Sequence, residues 1–171
     1  MKDKLFSSND YGSINWQLVI GCALLAEIVG FASNLLCGDV KGFYLDLVRP
    51  PLSPPDWVFG VVWAVLYLVM GGLAGWLIGL DKKKFQPWRK RAVSCYWWQL
   101  LVNFCWSPVF FSIKNFLLAV VIVLALTAMN CWLSYCVGKI NKKMACLTYP
   151  YLAWLIFATY LTIGVWILNT I

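Results

Sequence analysis

The chain contains no histidine. Its absence removes the commonest general base and the commonest protein ligand for metal and haem iron. Charge is scarce as well, since Asp, Glu, Lys and Arg make up 12% of 171 residues and only seven of these are acidic. There is no glycine-rich phosphate loop, no serine or cysteine nucleophile beside a base, and no metal-ligand cluster, so no metal site is expected. Hydrolase, kinase and metalloenzyme chemistry loses its usual carriers. The seven cysteines form no Cys-x-x-Cys pair, and six of them lie in or beside apolar stretches. They read as small packing residues rather than disulfide partners, and an odd number cannot all pair with one another.

What the chain has in excess is apolar surface. At 62% hydrophobic it exceeds what a single water-soluble domain can bury, so lipid must be part of its solvent. A helix needs about 20 apolar residues to cross a bilayer. Five stretches meet that need, at about 16–36, 57–80, 93–111, 116–137 and 147–168. The fold class expected is therefore an all-α membrane protein, one domain over 1–171, with five transmembrane helices and a Pro-rich loop between helices 1 and 2. That loop carries Arg49-Pro50-Pro51-Leu52-Ser53-Pro54-Pro55, which blocks helix formation. The first stretch follows a polar tail without a small-residue cleavage site and is expected to be retained.

Basic residues orient the bundle, because cytoplasmic loops keep them. Lys2, Lys4, Lys82, Lys83, Lys84, Arg89, Lys90, Arg91, Lys139, Lys142 and Lys143 fall on one side, against Lys41, Arg49 and Lys114 on the other. The N-terminus is expected inside and the C-terminus outside. The net charge of +7 is then explained by topology and attraction to anionic lipid heads, and nucleic acid is not expected as a partner.

Eleven tryptophans are the anomaly. Trp16, Trp57, Trp88 and Trp166 fall near span ends, where indoles anchor at the headgroup level. Trp63, Trp106 and Trp154 lie well inside their spans. Residues three and four apart share a helix face, which gives three stripes: Trp63, Tyr67 and Met70; Gln99, Asn103, Trp106 and Phe110; Tyr151, Trp154, Ala158 and Leu161. Amides in hydrocarbon need partners, so the Gln99 and Asn103 face should point inward. There it either helps wall a cavity suited to a planar aromatic ligand or bonds across helices as packing glue. Glu27 is the sole charge inside a span. It is read either as a protonated or amide-paired support of the bundle or as the centre of proton-coupled export, and no second acid or base is available for a relay. Gly71 and Gly75 allow a close helix contact, within the bundle or between subunits.

Four motifs in order carry a family resemblance: Arg49-Pro50 with Pro54-Pro55-Asp56-Trp57-Val58-Phe59-Gly60; Val62-Trp63-Ala64-Val65-Leu66-Tyr67 with Met70-Gly71; Asn103-Phe104-Cys105-Trp106-Ser107-Pro108-Val109-Phe110-Phe111; and Tyr149-Pro150-Tyr151-Leu152-Ala153-Trp154 with Phe157-Ala158. Over nearly its whole length the chain resembles the translocator protein family, also called tryptophan-rich sensory proteins or peripheral-type benzodiazepine receptors. The resemblance implies a five-helix bundle, often a homodimer, whose cavity beneath the first loop takes protoporphyrin, haem and drug-like flat ligands, with no obligatory cofactor. By position it implies Tyr44, Trp63, Asn103, Trp106, Trp154 and Ala158 as pocket residues. The stripes add Tyr67, Gln99 and Phe110. Sensing or carriage of tetrapyrroles is the leading expectation. Light-dependent porphyrin breakdown, resting on Trp63 and Trp154, is the enzymatic alternative, and export through Glu27 the third.

Three departures stand out. Leu52 replaces a common tryptophan, Phe43-Tyr44 a Trp-Tyr pair, and Thr162 an asparagine. No basic residue follows Lys143, which favours a bacterial inner membrane over sterol handling in a mitochondrion. On this reading the pocket is built from spans two, three and five with the first loop, and Glu27 stands apart from it.

Overall fold

The computed structural model describes residues 11–170. Lys2 and Lys4 of the orienting set lie outside them. Among the described residues there is no strand. The elements are α1 (Trp16–Leu35), α2 (Val40–Asp46), α3 (Asp56–Gly79), α4 (Trp88–Ser107), a π-helical turn (Pro108–Ser112), α5 (Phe116–Gly138), α6 (Lys142–Ala145), a 3-10 turn (Cys146–Thr148) and α7 (Tyr149–Thr170).

Local chemistry sets the boundaries. Helices α1, α2, α5 and α6 each begin after an Asn or Asp whose side-chain oxygen accepts a backbone N–H of the first turn, at Asn15, Asp39, Asn115 and Asn141. These residues are strong N-caps because they satisfy otherwise orphaned donors. Helix α3 starts where Pro54-Pro55 ends, with Asp56 in its first turn, and a negative charge there complements the helix dipole. Its far end is closed by Arg89, a buried side chain at 8% exposure. The guanidinium donates from Nε to the Leu77 carbonyl at 2.8 Å and from Nη2 to the Ile78 carbonyl at 2.7 Å. Arg89 therefore joins the end of α3 to the start of α4, a role beyond its charge in the loop.

Two boundaries differ from expectation. The third apolar stretch, placed at 93–111, is the inner part of a helix that starts earlier at Trp88 and runs on through the π-helical turn. The Pro-rich loop contains a helix of its own, α2, capped by Asp39. Four of the helical segments, α1, α3, α5 and α6–α7 together, are long and apolar enough to cross a membrane. Helix α4 has the length but opens with Arg89, Lys90 and Arg91.

The long helices form a ring in the order α1, α3, α7, α5, α4 and back to α1. The tightest contact is α1 on α3. A Cβ added at Gly71 would lie 2.6 Å from the Cys22 carbonyl oxygen, and one at Gly75 would collide with the Leu18 carbonyl and the Val19 Cα. The glycine pair thus works inside the bundle. Outward faces remain apolar, with Ile20, Leu24 and Ile28 of α1, Val61, Val65 and Leu68 of α3, and Leu117, Val121 and Leu124 of α5 exposed. Such rows are the lipid-facing surface of an integral membrane protein.

The glycine contact generates a stability prediction. Gly75→Ala should destabilise the bundle by about 1–3 kcal/mol, the usual range for overpacking, because backbone atoms of α1 must yield. Gly72→Ala, whose new methyl would meet only Val19 Cγ1 at 3.6 Å, should be neutral or stabilising. Thermal unfolding of the two variants in detergent reads the difference.

Candidate functional site

Helices α3 and α7 meet at few points, and the space between them, towards the α2 end of the bundle, is a cavity of about 450 Å³. Pockets for drug-sized ligands span roughly 300–1,000 Å³. Helix α3 contributes Trp63 and Tyr67, α4 contributes Asn103 and Trp106, the π-helical turn Phe110, α7 Ala158 and Thr162, and α2 closes the top with Tyr44. Spacing of three and four residues brings each set onto one face. Space is left because several lining positions are small, at Gly30, Gly60, Ala64 and Ala158.

The wall is aromatic and ordered by ring contacts. Trp106 stacks on Phe110 with centroids 5.0 Å apart and planes at 18°. Trp63 leans on Tyr67 at 5.6 Å. Trp154 stands edge-on to Trp63 at 6.4 Å and to Phe59 at 5.8 Å, behind the wall.

The loop carrying α2 is clasped to α7. The Asn169 amide accepts from the Val48 N–H at 3.1 Å and donates to the Val48 carbonyl at 2.9 Å. Tyr160 donates to the Pro51 carbonyl at 2.8 Å, and Pro50 packs where Gly164 has no side chain. Within the loop, the Tyr44 hydroxyl donates to the Pro54 carbonyl at 2.8 Å and the Arg49 guanidinium lies 4.8 Å above its ring. Leu52 is 82% exposed with a φ of 66° and stays outside the cavity lining.

Seven of the nine residues expected to face a ligand line this cavity: Tyr44, Trp63, Tyr67, Asn103, Trp106, Phe110 and Ala158. Two do not. Gln99 lies deeper, in a separate pocket of about 20 Å³ shared with Tyr96 and Tyr151, and Trp154 supports Trp63 from behind. Trp57, read as a headgroup anchor, is 67% exposed but also lines the mouth. Helix α1 supplies a wall that the sequence stripes do not include, with Glu27, Gly30 and Asn34 on the lining. Their spacing of three and four residues marks one helix face and is the signal that could have found them. Glu27 is thus part of the cavity, not apart from it.

Polar groups are few. The Asn103 amide donates to the Tyr67 hydroxyl at 3.1 Å. Thr162 reaches the lining, but its hydroxyl is turned back to the Ala158 carbonyl at 2.7 Å. Oε1 of Glu27 and Nε1 of Trp106 are buried without a hydrogen-bond partner. At the mouth Lys41 and Asp56 pair loosely at 3.9 Å. Among the described residues no group of three or more potential metal ligands assembles.

A bundle of apolar helices around an aromatic cavity, roofed by a proline-rich loop, defines an integral membrane protein with an internal chamber. The model of the TspO/MBR family matches residues 21–167, and the chain belongs to that family. It is 31% identical over 152 residues to the translocator protein of Bos taurus, covering 88% of this chain and 89% of that one. It is 32% identical over 149 residues to the tryptophan-rich protein TspO of Chlorobaculum tepidum, covering 86% and 93%. A TspO of Archaeoglobus fulgidus is 30% identical over 161 residues, covering 91% and 99%.

The Tyr67–Asn103 bond yields a test of the wall. Tyr67→Phe strands a buried amide donor, and leaving such a group unpaired costs about 1–3 kcal/mol. Adding Asn103→Leu should recover part of the loss, because the orphaned donor goes with it. Thermal midpoints of the single and double variants form the cycle that checks this.

Proposed function

We propose that this protein binds flat, apolar ligands of the tetrapyrrole class, protoporphyrin and haem among them, in the chamber beneath α2, and acts as a membrane sensor or carrier of them. The observation that carries this reading is the cavity of about 450 Å³ walled by Trp63, Trp106 and Phe110. Aromatic faces favour a planar ring by offset or edge contacts, each contributing about 0.5–1.5 kcal/mol beyond buried area. With no histidine in the chain, shape and stacking hold the ring. Family membership supports the same assignment.

The reading includes a topology. Helix α4, extended by the π-helical turn, is the fifth span, since Arg89 is satisfied by the α3 carbonyls and Lys90 and Arg91 can reach the headgroups while the rest stays in hydrocarbon. The residues Lys82, Lys83, Lys84, Arg89, Lys90, Arg91, Lys139, Lys142 and Lys143 gather at the end of the bundle opposite α2. That end is cytoplasmic by the positive-inside rule, which puts the cavity mouth on the outer side of a bacterial inner membrane. A reporter fused after Ile171 should be active outside the cytoplasm; activity only inside would reverse the orientation.

Titration of purified protein with protoporphyrin, read by tryptophan quenching, tests the chamber. Trp63→Phe and Trp106→Phe should each weaken binding severalfold, since a stacking contribution of about 1 kcal/mol corresponds to roughly fivefold. Ala158→Phe, which fills the chamber, should weaken it further. Trp16→Phe and Trp88→Phe, outside the chamber, should leave it unchanged. Equal losses across all five variants would place the ligand elsewhere. Following the porphyrin spectrum in light and in darkness reports whether bound ligand is consumed.

A further inference from the structure

Glu27 sits in the middle of α1, with its side chain on the cavity lining and Oε1 buried without a partner. One turn on, Gly30 is pressed against the Tyr67 ring, so the carboxyl lies beside the Tyr67–Asn103 pair, at the inner end of the chamber. A carboxylate away from water needs a countercharge or strong donors, and lacking them its burial is costly.

Among the described residues no cation pairs with it. Lys41 at the mouth already faces Asp56, Arg49 covers the Tyr44 ring, and Lys114 covers the Phe43 ring at 4.7 Å. The remaining described basic residues belong to the opposite end of the bundle. Asn103 spends a donor on Tyr67, and the Thr162 hydroxyl is committed to its own helix. With Lys41 and Asp56 facing each other at the mouth, Glu27 is the remaining charged side chain on the cavity lining.

We propose that Glu27 makes the chamber selective for planar aromatic ligands that carry a protonated nitrogen, whether amine, amidine or ring nitrogen. This inference rests on the ligand-binding reading of the chamber and narrows it: a metal-free ring or an amine-bearing one makes the contact, whereas haem, with its ring nitrogens held by iron, does not. The ring lies between Trp63 and Trp106, and its positive nitrogen meets the Glu27 carboxylate at the inner end. A charge-assisted hydrogen bond formed there, shielded from water, is stronger than the same bond at the surface.

The test uses two flat probes of similar outline, 9-aminoacridine as the cation and acridone as the neutral, titrated against full-length protein in a non-ionic detergent. The wild type should prefer the cation. Glu27→Gln should weaken 9-aminoacridine about tenfold or more and leave acridone within about twofold, while Glu27→Asp, which keeps the charge, should retain the preference. Acridone binding also certifies that the chamber is intact in each variant. If Glu27→Gln loses acridone as well, Glu27→Asp becomes the deciding variant, and loss of cation preference there overturns the proposal. Acridone binding with no effect of Glu27→Gln on the cation sinks the selectivity and leaves the chamber standing. Failure of both probes to bind the wild type removes the proposal together with the reading beneath it.

Discussion

The close approach of α1 to α3 at Gly71 and Gly75 is the constraint from which the chamber follows. In lipid no hydrophobic effect drives helices together, so association relies on van der Waals contact, and small residues are what permit it. Two missing side chains let α3 touch the backbone of Leu18, Val19, Cys22 and Ala23 directly. Farther along, Gly30 of α1 accepts the Tyr67 ring in the same way. Beside this second contact the Tyr67 hydroxyl accepts from Asn103 of α4, and Glu27 lies on the cavity wall. A wider α1–α3 separation would leave the chamber open on one side.

The two ends of the bundle differ because their side chains differ in size. Towards the basic end Leu73, Leu77, Leu126, Leu133 and Leu155 are fully buried against one another, and a core of this density leaves no room for a ligand. Towards the α2 end, Gly60, Ala64 and Ala158 occupy inward positions and the rings of Trp63 and Trp106 stand apart. Side-chain hydrogen bonds to the loop backbone then hold the roof in place, with Asn169 gripping Val48 and Tyr160 gripping Pro51. The roof is therefore anchored to the helix that forms the opposite wall, so displacement of α7 and displacement of the loop are mechanically linked.

Much of this is legible in the residues, and the exceptions have physical causes. Apolar runs locate the long helices, and the spacing of Trp63 with Tyr67 and of Asn103 with Trp106 locates two walls. The α1 wall is hidden because Gly30 carries no side chain to signal it and Glu27 reads as an isolated charge. Gln99 shares its stripe with Asn103, yet four residues of helix carry it about 6 Å along the axis, out of the chamber and into the filled layer beside Tyr96 and Tyr151. Helix α2 is masked by its proline-rich surroundings, although Asp39 gives the N-cap signal. Arg89 reads as one more loop charge, whereas its position after the end of α3 lets the guanidinium reach two terminal carbonyls, a contact set by the turn at 80–87 that periodicity does not encode.

The distribution of unsatisfied polar atoms carries the last step. Within a bilayer, every buried donor or acceptor without a partner is a cost the fold must offset elsewhere. Among the described residues the buried unpartnered side-chain atoms are on Glu27, Tyr96, Gln99, Trp106, Asn130 and Trp154. Glu27 and Trp106 line the main chamber, Tyr96 and Gln99 line the pocket below it, and Trp154 backs its wall; only Asn130 lies apart, with its amide donating to the Thr148 carbonyl at 3.1 Å. Of these, the acceptor at Glu27 and the donor at Trp106 are the two that lie on the chamber lining, so under the proposed reading they are the groups an occupant would satisfy.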